Sequence, residues 1–277
     1  MTDKLTKPQL MGILNVTPDS FSDGGHYHCV ELALAHAQQM LAQGADIIDV
    51  GGESTRPYAD AITPAEQIAR VVPVITALRQ HSAVPISIDT TSAQVAQAAL
   101  QAGATMINDV SGALADTAML KLAATAGVEI VLMHSQGTPK TMQVNPYYDD
   151  VVAEVRCALQ QHLAAALSAG IALEKIIIDV GIGFGKRKQD NLCLLAHLQT
   201  FVDLGVRVLL GTSRKRFMGT LCQVSKPHEL VTATAVTTAL GVMAGVQLFR
   251  VHDIEANRQA IDVAWAIKCS QHPVDIS

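Results

Sequence analysis

The stretch Lys175-Ile176-Ile177-Ile178-Asp179-Val180-Gly181-Ile182-Gly183-Phe184-Gly185-Lys186 decides the fold. Its first half is an aliphatic run with no polar alternation, which is how a strand covered on both faces reads. It closes on an aspartate and a glycine-rich turn. Seven further runs repeat the design: Gln9–Val16, Ala45–Gly51, Pro85–Thr90, Thr105–Val110, Glu129–His134, Val206–Gly211 and Gly245–Val251. Between them lie Ala/Leu/Gln-rich stretches of helical length, such as Glu31–Gln43, Pro64–Gln80, Ala93–Gln101 and Val151–Ala169. Thr63-Pro64-Ala65-Glu66 supplies an N-cap, a proline at the first helical position and an early acid, while Gly44, Gly103, Gly127, Gly170 and Gly205 mark helix ends. Eight such units in 277 residues is about 35 per unit, and no Pro/Gly/Ser linker divides the chain. The predicted fold is therefore α/β, a (β/α)8 TIM barrel forming a single domain over residues 1–277. A doubly wound sheet is the competitor, because strand order is not written in the sequence.

Composition agrees. Apolar residues make up 49% and charged ones 16%, against about 25% charged in ordinary soluble chains, which suits a large aliphatic core and excludes global disorder. A net charge of −5 provides no field for nucleic acid or anionic lipid. The five cysteines show no zinc spacing, so reduced thiols in a cytoplasmic setting are expected. MTDKLTKPQL lacks the apolar stretch of a signal peptide. Leu230–Phe249 is uncharged and long enough to span a bilayer, yet Thr232, Thr234, Thr237 and Thr238 crowd its first half. It reads as a buried helix ending near Gly245 and followed by a strand, and no membrane partner is expected.

Nearly every run ends in a polar group: Asn15, Asp49, Asp89, Asn108-Asp109, His134, Asp179, Ser213-Arg214-Lys215 and Arg250-His252-Asp253. In a parallel barrel these ends converge on one face, where barrel enzymes carry their chemistry. Asp49, Asp109 and Asp253 read first as caps of the helices that follow. Lys215, Arg250 and His252 cannot accept a bond from a helix N-terminus while charged, so capping does not explain them. Acids and amides (Asp89, Asn108, Asp179) come from strands three, four and six. Cations (Arg214, Lys215, Arg250, with His252) come from strands seven and eight, and Arg56 follows strand two. That segregation suits an anionic leaving group on one side and a donor-rich heterocycle, read by buried acids, on the other.

Two loops, spanning 15–29 and 53–63, exceed the usual length of a strand-to-helix connection and are expected to be mobile lids over the site. Gly181–Lys186 has neither the spacing of a P-loop nor a complete dinucleotide fingerprint, and no GxSxG, HExxH or EF-hand sequence occurs. Hydrolase and nucleotide-kinase chemistry thus lack residues to carry them.

Met11–Gly25 (MGILNVTPDSFSDGG), Asp49–Pro57 (DVGGESTRP), Ile86–Thr90, Ile107–Gly112, Leu132–Gln143 (LMHSQGTPKTMQ), Gly181–Lys186, Gly211–Phe217 (GTSRKRF) and Phe249–Asp253 resemble the dihydropteroate synthase family, in order and across essentially the whole chain. The resemblance implies a transferase of folate biosynthesis, a cytoplasmic homodimer using Mg²⁺. It would condense 6-hydroxymethyl-7,8-dihydropterin diphosphate with 4-aminobenzoate to 7,8-dihydropteroate and diphosphate by SN1-like substitution. By that resemblance Thr55, Asp89, Asn108, Asp179, Lys215, Arg250 and His252 contact the pterin diphosphate, with Asp89, Lys215 and Arg250 carrying catalysis. Thr55, Arg56, Pro57, Phe184 and Ser213 line the 4-aminobenzoate pocket, where sulfonamides compete, and Asn15 is the metal ligand. Two positions depart from the family: Val180 replaces a proline after Asp179, and Tyr58 replaces a glycine after Pro57. The rival readings are another pterin-binding barrel, such as a methyltetrahydrofolate methyltransferase, and a catalytically silent homologue. Ser54–Pro57 and Ser213–Lys215 argue against the first; retention of Asn15, Asp89 and Lys215 argues against the second.

Overall fold

A computed structural model of the chain describes residues 6–17, 26–53, 62–137, 141–142 and 144–271, with the backbone alone for 26–28. Eight strands form the centre: β1 Gln9–Asn15, β2 Ile47–Gly51, β3 Ile86–Asp89, β4 Met106–Asp109, β5 Glu129–Met133, β6 Ile176–Asp179, β7 Arg207–Leu210 and β8 Leu248–Val251. Each pairs in parallel with its neighbour in chain order, and β8 returns to β1 to close a barrel. The doubly wound sheet is thereby excluded. Helices cover the outside: α1 His26–Ala42, α2 Pro64–His81, α3 Ala93–Gln101, α4 Ala118–Ala126, α5 Val151–Ser168, α6 Lys188–Ala196, α7 Leu198–Val202, α8 Arg216–Cys222, α9 Val231–Ala244 and α10 Ile254–Ser270.

Local chemistry sets the boundaries. Thr63 and Glu66 form a reciprocal capping box that starts α2, as their spacing predicts. Gly127 takes a left-handed conformation at the end of α4. Gly245 ends α9 at φ +93, at the expected helix end, and β8 begins at Leu248, three residues later than the run Gly245–Val251 implies. Helix α1 starts at His26, five residues before the predicted Glu31, because nothing from His26 onward breaks a helix. It takes in the last residues of the expected 15–29 lid. Residues 18–25 of that lid and 54–61 of the second lie outside the described residues.

The uncharged Leu230–Phe249 stretch resolves into α9 and β8. Three of its threonines bond inside the protein: Thr234 Oγ1 donates to the Leu230 carbonyl (2.8 Å), Thr237 Oγ1 to that of Thr234 (2.7 Å), and Thr238 Oγ1 to Asn257 Oδ1 (2.7 Å). Among the described residues, no helix is long and apolar enough to cross a membrane.

The strands bury both faces. Outward aliphatics such as Leu10, Ile48, Ile88, Ile107 and Ile178 pack under the helices. Inside the barrel, Met11, Ile47, Met106, Val131, Ile177, Leu209 and Leu248 form a separate apolar plug. Side chains two residues apart on a strand point the same way. The next interior layer toward the C-terminal mouth is therefore set by adding two to each number, and it contains Asp49, Asn108, Asp179 and Arg250.

Candidate active site

Asp49, with no exposed surface, is the centre of that layer. Its Oδ2 accepts from Arg250 Nε at 2.6 Å and from Asn108 Nδ2 at 3.3 Å. The same guanidinium donates through Nη2 to Asp89 Oδ2, also at 2.6 Å. Arg250 is thus clamped between two carboxylates from β2 and β3. Burial opposes its charge, but Asp49 and Asp89 outweigh burial and hold it above its ordinary value. The second oxygens, Asp49 Oδ1 and Asp89 Oδ1, are buried acceptors without a partner among the described residues. Burial pushes Asp89 up to about 7 against the pull of Arg250, and the Asp49 charge adds to the rise.

Opposite them, at the end of β6, Asp179 Oδ1 accepts from the Gly181 amide at 2.8 Å. Burial raises this carboxyl to about 6, although Gly181, Lys215, Lys186 and Arg250 all favour its charge. Gly211 carries no side chain over Asp179 Oδ2, so the carboxylate keeps a face toward the mouth. Two buried acids raised toward neutrality, beside a permanent cation, are a signature of functional sites.

The cations lie where predicted, with one correction. Burial brings Lys215 down to about 8, and its ammonium sits 4.2 Å above the Phe184 ring. Ser213 Oγ and His252 Nδ1 are 2.9 Å apart, and the same hydroxyl accepts from the His252 amide at 3.1 Å, joining the ends of β7 and β8. Arg214, however, is already engaged: its fork meets the Asp253 carboxylate at 2.9 and 2.6 Å. Asp253 in turn makes no side-chain cap bond to α10, so its expected capping role gives way to this pair. Asp109 does not cap α4, whose N-cap position is Thr117; it accepts from the Ser111 amide at 2.8 Å and hydroxyl at 2.7 Å and so fixes the turn after β4. Asp49 departs too, since it binds Arg250 and caps nothing.

Asn15 ends β1 opposite Gly51. Its Oδ1 lies 3.6 Å from where a Gly51 Cβ would project, as does the Asp89 Cβ. The bare Gly51 therefore leaves room between an amide oxygen and a carboxylate. Among the described residues no group of three His, Cys, Asp or Glu could hold a metal. A neutral oxygen at the mouth suits Mg²⁺, which keeps waters and substrate oxygens in place of a full protein cage. Thr55, Arg56 and Pro57 lie outside the described residues.

One contact escaped the sequence reading, although both of its residues were named there. Lys186, 3% exposed, sits behind the mouth, and His134 points outward from the barrel to meet it. His134 lies in the Leu132–Gln143 stretch and Lys186 ends the Gly181–Lys186 turn, but only packing of the β5 and β6 turns brings the two together.

The sequence model of the pterin binding enzyme family matches residues 11–252. A dihydropteroate synthase of Synechocystis sp. is 45% identical over 93% of this chain and 89% of its own length. The structure of Xanthomonas albilineans dihydropteroate synthase with 4-aminobenzoic acid superposes with a TM-score of 0.90 at 45% identity, covering 95% of this chain and 94% of that one. That of the Yersinia pestis dihydropteroate synthase with a sulfonamide drug complex gives 0.89 at 42% identity, with 97% of each chain covered.

Proposed function

The chain belongs to the pterin-binding enzyme family, as one of its dihydropteroate synthases, and from that premise we propose how its own residues carry the reaction. The enzyme is a transferase that condenses 6-hydroxymethyl-7,8-dihydropterin diphosphate with 4-aminobenzoate, giving 7,8-dihydropteroate and diphosphate. One observation carries the assignment of roles: Asp89, Asn108 and Asp179 share the mouth of one barrel with Lys215 and Arg250, above its apolar plug.

In this reading Asp89, Asn108 and Asp179 accept the N–H and amino donors of the pterin edge, and unpartnered Asp89 Oδ1 is ready for one of them. Lys215, Arg250 and His252, with Thr55, hold the diphosphate. The bond between the pterin methylene and the diphosphate oxygen breaks with its electrons leaving on oxygen. Lys215 and Arg250 stabilise that negative charge, and the ionised carboxylates of Asp89 and Asp179 stabilise the cation left on the methylene and ring. The arylamine is neutral and nucleophilic at pH 7, so it attacks without a general base, and the lone proton released goes to solvent or product. Phe184, Ser213, Thr55, Arg56 and Pro57 form its pocket. The connections from β1 to α1 and from β2 to α2, which carry the expected lids of 15–29 and 53–63, would serve to exclude water from that cation. Mg²⁺, when bound through Asn15, supplies extra positive charge to the departing diphosphate.

The Yersinia pestis complex supports sulfonamides as competitors at the aminobenzoate pocket. Five cysteines without zinc-binding spacing support a reducing, cytoplasmic setting. A homodimer is supported by neighbouring apolar side chains on α9 and α10, where Val236, Leu240, Val263 and Ile267 are 51–61% exposed. The deciding assay follows diphosphate release from the pterin diphosphate with and without 4-aminobenzoate and Mg²⁺. Dihydropteroate formation that requires all three is expected; release indifferent to 4-aminobenzoate would sink the assignment.

A further inference from the structure

The glycine-rich turn after β6 is no nucleotide loop, and the reaction above uses only its Phe184. Yet the whole turn is pinned. Gly183 donates to Asn191 Oδ1 at 2.7 Å, Asn191 Nδ2 donates to the Lys186 carbonyl at 3.3 Å, and the Tyr148 hydroxyl donates to the Gly185 carbonyl at 2.9 Å. Gly181 and Gly185 take φ of +69 and +62, and side chains there would run into the His134 and Gln136 carbonyls respectively. Backbone therefore lies directly on backbone between the β5 and β6 turns.

One lysine sits in that seam, brought down to about 7 by burial while Asp179 favours its charged form. Lys186 Nζ lies 3.0 Å from His134 Nδ1, 3.3 Å from the His134 carbonyl and 3.0 Å from the Phe184 carbonyl. An ammonium has three N–H donors and accepts nothing, so these three acceptors complete it. Burial and the neighbouring ammonium bring His134 down to about 3, leaving a neutral ring whose Nδ1 accepts from Lys186 in the tautomer protonated at Nε2. Two of the three acceptors belong to the β5 end and the third is the Phe184 backbone. The ring of that residue underlies Lys215, and a side chain at Gly183 would approach Lys215 Cδ to 3.0 Å.

We propose that Lys186 is a positioning residue for the aminobenzoate side of the site, joining the β5 and β6 turns so that Phe184 is held where the arylamine must approach. The inference rests on the assignment of Phe184 to the aminobenzoate pocket. It also gives the turn a reason for its composition: the glycines admit the opposing backbone, and the lysine fastens it.

The test compares wild type, Lys186→Met and Phe184→Leu in steady-state kinetics with both substrates, with thermal unfolding recorded alongside. Methionine keeps the apolar stem and removes the cation. For a folded Lys186→Met we expect KM for 4-aminobenzoate to rise about 10-fold, with kcat and the pterin diphosphate Kd changed by about threefold or less. Unchanged KM for 4-aminobenzoate overturns the proposal, as does a uniform loss in kcat and both affinities that tracks reduced stability. If Lys186→Met does not fold, Lys186→Arg is measured the same way. Its planar fork keeps the charge but cannot place donors on all three acceptors, so a rise of about threefold in the same KM is expected, and none refutes the role. Phe184→Leu separates the two claims. If it leaves KM for 4-aminobenzoate unmoved, the pocket assignment fails; if it raises KM while the lysine variants do not, the Lys186 proposal alone fails.

Discussion

At the scale of single residues the site is decided by which acid faces which cation. Asp49→Asn removes one carboxylate from the Arg250 clamp but keeps an acceptor oxygen. It is expected to lower stability by about 1–3 kcal/mol in urea unfolding and to reduce kcat/KM for the pterin diphosphate about 10-fold or more. A variant matching wild type in both would remove Asp49 from the site. The pH dependence has two opposite faces. Asp179 and Asp89 ionise near 3.8 when unfolded but are raised to about 6 and about 7 in the folded protein. Between those values the folded chain binds more protons, so their contribution to stability falls as pH rises through roughly 4 to 7. Pterin recognition needs the ionised forms, so kcat/KM should climb over pH 6 to 7 while stability declines. Asp179→Asn should flatten the unfolding midpoint against pH and abolish part of the rise in kcat/KM. Of these residues Asp89, Asn108, Asp179, Lys215 and Arg250 were legible as strand-end polar groups. Asp49 stood in the same row but its role did not show, because an aspartate ahead of a helix looks the same whether it caps or pairs. Lys186 was hidden for a related reason: a sequence shows that Gly181–Lys186 is not a phosphate loop, but not which carbonyls surround the lysine.

At the scale of elements the strands were readable because parallel strands covered on both faces leave unbroken aliphatic runs, and α2 and α3 were readable from their caps. Boundaries drifted where a helix cap and a strand start are both small or apolar, as at Gly245 before β8. Packing between turns was the unreadable part, and glycine substitutions measure it. Gly127→Ala, at φ +64 with open space around it, should cost about 1–2 kcal/mol of backbone strain. Gly181→Ala, at nearly the same φ, also drives a methyl into the His134 carbonyl and should cost about 3 kcal/mol or more. Equal denaturant midpoints for the two variants would mean that the β5 and β6 turns are not in contact as described.

At the scale of the whole molecule, a chain with a net charge of −5 binds two anionic substrates because its few interior cations gather on one rim. The opposite problem concerns the outside, where α9 and α10 leave apolar side chains uncovered. Leu240→Glu combined with Val263→Glu should convert the proposed dimer to a monomer in sedimentation velocity without altering the barrel's circular dichroism. A wild type that already sediments as a monomer would place that face outside any stable self-association. The Arg250 clamp also has a bearing on how the molecule is made. Its contacts reach back 201 residues to Asp49 and 161 to Asp89. On the ribosome both acids are synthesised long before their counter-ion, and the strand that brings it is the one that shuts the ring. A nascent chain stopped short of β8 thus holds two buried-site carboxylates with nothing to neutralise them, so a truncated product has no partial version of this enzyme to fall back on, and translation must nearly finish before the catalytic centre exists at all.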